Sequence, residues 1–233
     1  LSREEQEEIC RRLDFSYPYE EARKRKSKYS VTELNRLGKD GGETEHKFTL
    51  AVPAFRQEKK RFSAAEKGTI CHGIMERIDF TRAEAEGVAY IRQAASEMVA
   101  SGIFAEEEIE AVDLARIAAF FASPLGKRCA GSFAAGRLQR ERAFDLRLEV
   151  EGELAVVQGV IDCYFEEEDG FVLLDYKTNW IDPTKDFAEE EERMRRAYQR
   201  QIDIYRRALS AALKRPVKEA WLYLFGAGAL IEM

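Results

Sequence analysis

The segment over residues 156–179 constrains the fold more than any other part of this chain. It reads VVQGVIDCYFEEEDGFVLLDYKTN, in which two apolar runs flank the polar turn at residues 167–170. This pattern predicts a β-hairpin. If the turn closes symmetrically, Asp162 lies opposite Asp175. Directly opposed residues share one face of a sheet, with Cβ atoms about 4.5–5.5 Å apart.

A lysine joins this pair of carboxylates. Asp175 and Lys177 are two residues apart on one strand, so their side chains share a face, whereas that of Tyr176 points the other way. An Asp-x-Lys near a turn is more often a solvated edge feature. Here the neighbouring residues on both strands are apolar, which favours a central, buried strand; they are Val160, Ile161, Leu173 and Leu174.

Two close carboxylates and one ammonium suggest a particular chemistry. The carboxylates repel each other, and either a shared proton or a divalent cation relieves the repulsion. Oxygen ligands suit Mg²⁺ or Mn²⁺. A lysine beside such an ion can orient or deprotonate a water molecule, or offset charge on a pentavalent phosphorus. The pattern therefore indicates metal-assisted hydrolysis of a phosphodiester, and Lys177 has no evident part in a two-carboxylate glycosidase.

The rest of the chain predicts an α/β domain, a small mixed central sheet flanked by helices. Residues 1–62 are expected to form a helical segment and an irregular loop, and 63–233 the globular core. Capping boxes at Ser63–Glu66 and Thr81–Glu84 mark two helix starts. Helices are predicted over about 63–80, 81–102, 106–122, a short stretch after Ser123-Pro124, and 186–214, and strands over 137–148, 154–165, 171–177 and 218–225.

Composition excludes several classes of protein. The 233 residues carry a formal net charge of -6, which argues against a protein that coats nucleic acid by bulk charge. No apolar run approaches the roughly 18 residues that span a bilayer. The four cysteines are far apart, so no iron–sulfur cluster is predicted. Without a P-loop we predict no nucleotide site, and the charged N-terminal sequence without a signal-peptide core predicts a cytoplasmic protein.

The ordered motifs resemble a known family. Asp162 followed by Asp175-Tyr176-Lys177 is similar to the core of the PD-(D/E)xK nucleases, which have a restriction-endonuclease-like fold. Gly68 to His72 and Gln201 to Tyr205 match the GxxxH and QxxxY stretches of the RecB-like branch. Further stretches resemble the nuclease domain of AddA-type helicase–nucleases: Ser30–Leu34, Gly68-Thr69, Arg140-Glu141 before Phe144, and Gln158-Gly159. Ala143 departs from the proline that this family often has before the phenylalanine.

The resemblance implies a role for each matching residue. The metal, Mg²⁺ with Mn²⁺ able to substitute, would be held by His72, Asp162, Asp175 and the backbone carbonyl of Tyr176. Lys177 would be the catalytic lysine. Gln201 and Tyr205 would help to place the DNA or the lysine, and Glu141 would support the site from a neighbouring strand.

The resemblance also implies a function and partners. We expect a metal-dependent DNA exonuclease that cuts the 3′-ended strand during double-strand break processing in the bacterial cytoplasm. The expected partners are DNA, a helicase motor upstream in the same polypeptide, and a partner protein of the AddB type. Two alternatives remain. One is a stand-alone RecB-like exonuclease, many of which carry a four-cysteine cluster that the scattered cysteines disfavour. The other is an inactive module that only binds DNA or protein, which the presence of Asp162, Asp175 and Lys177 disfavours.

Overall fold

The computed structural model describes residues 2–13, 26–37, 62–150, 152–179 and 186–233. The helices are α1 (Arg3–Leu13), α2 (Val31–Leu37), α3 (Ala64–Arg77), α4 (Phe80–Glu86), α5 (Val88–Ala100), α6 (Glu106–Glu110), α7 (Leu114–Ala122), α8 (Pro124–Ala134) and α9 (Phe187–Leu213). The strands are β1 (Lys28–Ser30), β2 (Leu138–Val150), β3 (Glu153–Glu167), β4 (Gly170–Lys177), β5 (Val217–Leu224) and β6 (Ala229–Glu232). Nearly all of the loop predicted over residues 38–62 lies outside the described residues, so the domain boundary at residue 62 stays a prediction.

The long strand β3 organises one mixed sheet. Strand β2 runs antiparallel along one side of it. On its other side, β1 pairs in parallel near the start of β3, and β4 pairs antiparallel near its end. Strand β5 is parallel to β4, and β6 is antiparallel to β5. The predicted fold class, a small mixed sheet flanked by helices, is confirmed.

Two apolar clusters cover the two faces of the sheet. On one face, helices α3, α4, α5, α7 and α8 pack over buried residues of the central strands, including Cys163, Leu174 and Tyr176. On the other face, α9 and α2 cover Val157 and Leu173. Alternate residues of β4 therefore enter opposite clusters, which explains why its sequence is a nearly continuous apolar run. Among the described helices, none combines the length and apolarity needed to cross a bilayer.

The helix predicted over 81–102 was wrong in its start and its continuity. Asp79, not Thr81, is the N-cap, because its side chain accepts hydrogen bonds from the amides of Thr81 and Arg82. Gly87 then adopts a φ of 61°, which divides the segment into α4 and α5. A glycine tolerates this left-handed region without the steric cost of a Cβ.

Two further predictions need correction. The helix predicted over 106–122 is interrupted after α6, and Asp113 caps a second helix, α7, through the amide of Ala115. The short strands β1 and β6 were missed. Segment 26–37 also contributes to the core, since Val31 and Leu34 are buried against the sheet.

Candidate functional site

Asp162 lies where the neighbours of β3 diverge. The β3–β4 ladder runs from Glu167↔Gly170 to Cys163↔Leu174, the register in which Asp162 comes next to Asp175. Beyond that pair, the Asp162 side chain replaces the ladder, because its Oδ2 accepts a hydrogen bond of 2.7 Å from the Tyr176 amide. The fork thus brings a buried carboxylate to the end of β4, as the hairpin register predicted.

On the other side of β3, Glu141 occupies the corresponding position of β2. It falls between the pairs Arg140↔Cys163 and Arg142↔Ile161, and its φ is 47°. A non-glycine residue at positive φ is uncommon and is concentrated at functional sites. This irregularity of β2 therefore lies directly beside Asp162.

Three side chains from three elements converge at this point. His72, on α3, places Nδ1 at 3.5 Å from Asp162 Oδ1 and 3.7 Å from Glu141 Oε1. Possible ligand atoms of these three residues all lie within 4.8 Å of one another. The other ring nitrogen, Nε2, is 3.1 Å from the carbonyl oxygen of Tyr176. The structure thus brings His72, Asp162 and the Tyr176 carbonyl together, as the resemblance implied, and adds the carboxylate of Glu141.

Asp175 anchors the other half of the site and is only 1% exposed. Its Oδ2 forms an ion pair with the Lys177 ammonium, which confirms that these side chains share a face. Its Oδ1 accepts a hydrogen bond of 3.0 Å from Gln201, whose amide nitrogen also contacts the Tyr205 hydroxyl at 2.9 Å. The Gln201–Tyr205 face of α9 therefore holds Asp175. Asp175 is not a member of the three-residue group around His72.

Lys177 is held between the two strands' acids and an aromatic ring. Its Nζ is 3.4 Å from the Tyr176 carbonyl oxygen and 5.0 Å from the centroid of the Tyr198 ring. Tyr198 in turn donates a hydrogen bond of 2.8 Å to Asn179. Tyr198 lies on the same helix face as Gln201, and this contact with the lysine was not predicted from the sequence.

The electrostatics of the site follow from burial and proximity. Burial and the nearby charge of Asp175 raise the pKa of Asp162 to about 7. Burial lowers the pKa of His72, but the acids Glu141 and Asp162 outweigh it and leave that pKa raised. Burial likewise opposes the Lys177 ammonium, yet Asp175 and Asp162 raise its pKa. The carboxylates thus create a negative site that favours cations.

The donor set fits a divalent metal ion. Carboxylate and carbonyl oxygens are the ligands that Mg²⁺ and Mn²⁺ prefer, and imidazole also serves the transition metals. Repulsion between Asp162 and Asp175, expressed in the raised pKa of Asp162, is the cost that such a cation would relieve. The residues present therefore fit the metal that the resemblance implied.

Arg140 is a structural support of the site that the sequence did not reveal. Its guanidinium donates hydrogen bonds of 3.0 and 2.7 Å to the carbonyls of Met75 and Ile78 at the end of α3. It also lies over the rings of Phe80 and Phe133. Arg140 thereby ties the helix that carries His72 to the strand that carries Glu141. Its position directly before Glu141 was the only available signal.

Comparison with known proteins agrees with this geometry. A family model described as the PD-(D/E)XK nuclease superfamily matches residues 43–231. Three curated relatives are each named as one of the subunits of an ATP-dependent helicase/nuclease. The protein of Acetivibrio thermocellus is 38% identical over 97% of this chain, that of Anoxybacillus flavithermus is 38% identical over 100%, and that of Bacillus cereus strain AH187 is 35% identical over 100%.

This chain spans only about a fifth of the length of those relatives, between 18% and 20% of each. The family match is broader, since it covers most of the chain, including α3, the hairpin and α9, which carry the residues described above. The resemblance drawn from the motifs is confirmed at this level. The chain belongs to the PD-(D/E)XK nuclease superfamily.

Proposed function

We propose that this chain is a metal-dependent deoxyribonuclease that hydrolyses phosphodiester bonds of DNA exonucleolytically. The observation that carries the proposal is the convergence of His72, Glu141, Asp162 and the Asp175–Lys177 ion pair at the fork of the sheet. Few structural roles require two buried acids beside one lysine, because burying charge is costly unless it is paired.

The residues divide into a metal-holding group and a group that acts on the substrate. His72, Asp162, Asp175 and the Tyr176 carbonyl would hold Mg²⁺, with Mn²⁺ able to substitute, and Glu141 would join them. When bound, the cation supplies Lewis-acid stabilisation of charge on the phosphate and a more acidic water. Lys177 orients the attacking water or offsets charge on the phosphorus, while Tyr198 and Asp175 fix its position. Gln201 and Tyr205 hold Asp175 in place.

The names of the ATP-dependent helicase/nuclease relatives suggest the biological setting. We propose that this chain is the nuclease part of an AddA-type helicase–nuclease, that a helicase motor precedes it in the polypeptide, and that a protein of the AddB type is its partner. It would then degrade the 3′-ended strand in the bacterial cytoplasm as breaks are processed. An acidic domain holds DNA weakly by bulk charge, which suits a nuclease that receives its strand from an attached motor.

A digestion assay tests the catalytic part of this proposal. Linear single- and double-stranded DNA, labelled at either the 5′ or the 3′ end, is incubated with the chain in Mg²⁺, in Mn²⁺ or in a chelator. We expect cleavage only with a metal, and the order in which labelled products appear reports strand and polarity. Asp175→Asn and Lys177→Ala should each lower the rate about 100-fold or more.

Matched controls make the assay specific. Asp203→Asn and Lys127→Ala alter exposed residues on α9 and α8, and both variants should cleave at the wild-type rate. Cleavage by Asp175→Asn and Lys177→Ala at that same rate would refute the assignment of the site. DNA binding without cleavage in either metal would instead favour the inactive module.

A further inference from the structure

A groove opens beside the candidate site and contacts residues that the proposed chemistry does not use. Its volume is about 590 Å³. His72 and Glu141 lie at one end, Thr69 and Gly73 line it along α3, and Ile103 and Phe104 line it from the loop after α5. We call it the α3 groove. This volume is in the range of pockets that hold small ligands.

The walls of the α3 groove suit a neutral, flat group rather than a phosphate. Ile103 is 47% exposed, an unusual degree of exposure for a large aliphatic side chain. Among the described residues that line the groove, Arg77 is the one guanidinium or ammonium, and it is ion-paired with its neighbour Glu76. Glu141 adds a further carboxylate. This lining therefore disfavours a phosphate, whereas an aromatic base can pack against its apolar wall.

The position of Phe104 depends on a glycine. A Cβ added at Gly73 would be 2.7 Å from Cζ of the Phe104 ring, closer than real Cβ atoms come. The absence of a side chain at Gly73 therefore lets the ring lie against α3, one residue along from His72. The ring and the metal-holding residues are thus joined through the same helix.

We propose that the α3 groove binds the base of a nucleotide adjoining the scissile phosphate of a single DNA strand, with Phe104 and Ile103 as the packing surface. The proposal rests on the proposed nuclease function, because the groove is continuous with the site through His72 and Glu141. Packing by an aromatic and an aliphatic side chain reads no base edge, so the subsite accepts any base.

Binding of single-stranded oligonucleotides tests the proposal in the full 233-residue chain. The Lys177→Ala variant is the background, because it should bind Mg²⁺ without cleaving. Fluorescence anisotropy then gives the Kd of a labelled oligonucleotide and of versions with one abasic residue at each position in turn. In this background, Phe104→Leu should weaken binding about five-fold to 100-fold, whereas Phe104→Tyr, which keeps a ring, should stay close to the background.

The abasic series separates stacking from a merely structural role. We expect one position at which loss of the base weakens binding to the background protein, and no further loss at that position when Phe104→Leu is present. Calorimetric affinity for Mn²⁺ should be the same for Phe104→Leu and its background, which shows that α3 and His72 are intact. Equal weakening by Phe104→Leu and Phe104→Tyr, or no effect of either, would overturn the proposal.

A second pair of variants avoids any effect on folding. Ile103→Ala, in the groove, should weaken binding about three-fold to ten-fold, while Leu154→Ala, which alters a side chain that is 78% exposed on β3, should not. Equal affinities for the two variants would contradict the proposal. If the wild type cleaves DNA but these variants bind normally, the groove proposal alone fails. If nothing cleaves DNA but the abasic coupling is present, the groove stands and the nuclease function fails.

Discussion

The Asp162 carboxylate and the Tyr176 backbone amide share a hydrogen bond of 2.7 Å where β3 and β4 separate. One oxygen of this carboxylate therefore completes the backbone pairing of the sheet, while the other faces His72. The same residue has a structural and a proposed metal-binding role, and the two can be separated by substitution.

Asp162→Ala should lower the free energy of unfolding by about 1–3 kcal/mol, because it leaves the buried Tyr176 amide without an acceptor. Asp162→Asn keeps an oxygen for that amide and removes a charge beside Asp175. In metal-free buffer it should therefore be at least as stable as the wild type, although it should lose nuclease activity. Urea unfolding checks this, and equal destabilisation by both substitutions would contradict it.

Arg140→Met should lower the free energy of unfolding by about 2 kcal/mol, since the carbonyls of Met75 and Ile78 lose a charged donor. It should also weaken Mn²⁺ binding, because α3 and the strand that carries Glu141 are no longer tied together. Arg142→Met is the control, since Arg142 lies on the same strand and donates to the side chain of Gln139. Wild-type stability and metal affinity in Arg140→Met would show that the tie is unimportant.

Two glycines of α8 should respond in opposite directions to alanine. A Cβ at Gly126 would be 2.0 Å from the Phe120 carbonyl oxygen, so Gly126→Ala should destabilise the protein by about 3 kcal/mol or more. A Cβ at Gly131 meets no atom within 4 Å, and Gly131→Ala should stabilise it by up to about 1 kcal/mol through helix propensity. Thermal or urea unfolding of both variants checks this, and similar shifts for the two would be inconsistent with the packing described.

Glu167 predicts a pH dependence of stability away from the site. Hydrogen bonds from Arg128, and a further contact with Lys218, lower the pKa of Glu167 to about 2. A carboxyl whose pKa is lowered on folding stabilises the protein above its unfolded pKa of about 4.3. This contribution is lost as the pH falls from about 4 to 2.

The expected contribution is only about 1 kcal/mol, because solvent screens this partly exposed network. The unfolding free energy of Glu167→Gln, compared with the wild type, should therefore differ by about that amount at pH 7 and converge with it near pH 2–3. Glu107→Gln, on the exposed side of α6, should follow the wild type throughout. A wild-type advantage over Glu167→Gln that grows in acid would contradict the sign.

Local patterns were sufficient to predict the elements closest to the site. The four-residue turn fixes the register of the hairpin, so the proximity of Asp162 and Asp175 could be inferred by counting. The spacing of Gln201 and Tyr205 likewise predicted their shared helix face, which the hydrogen bond between them confirms.

Features that depend on tertiary contacts were not predictable in this way. Strand β1 has three residues and exists through pairing with residues 156–158 of β3, far along the chain. The choice of Asp79 over Thr81 as a helix cap depends on which side chain the preceding turn aims at the free amides. The approach of Glu141 to His72 requires a φ of 47°, and no sequence pattern predicts that value for a glutamate.

Divalent-cation binding measured by calorimetry is the most direct test of the central claim, that this fork of the sheet is a metal-dependent site. We predict that the wild-type chain binds Mn²⁺, that Asp162→Asn and Asp175→Asn each weaken the binding at least about ten-fold, and that Asp203→Asn leaves it unchanged. Undiminished Mn²⁺ affinity in both Asp162→Asn and Asp175→Asn would contradict the account.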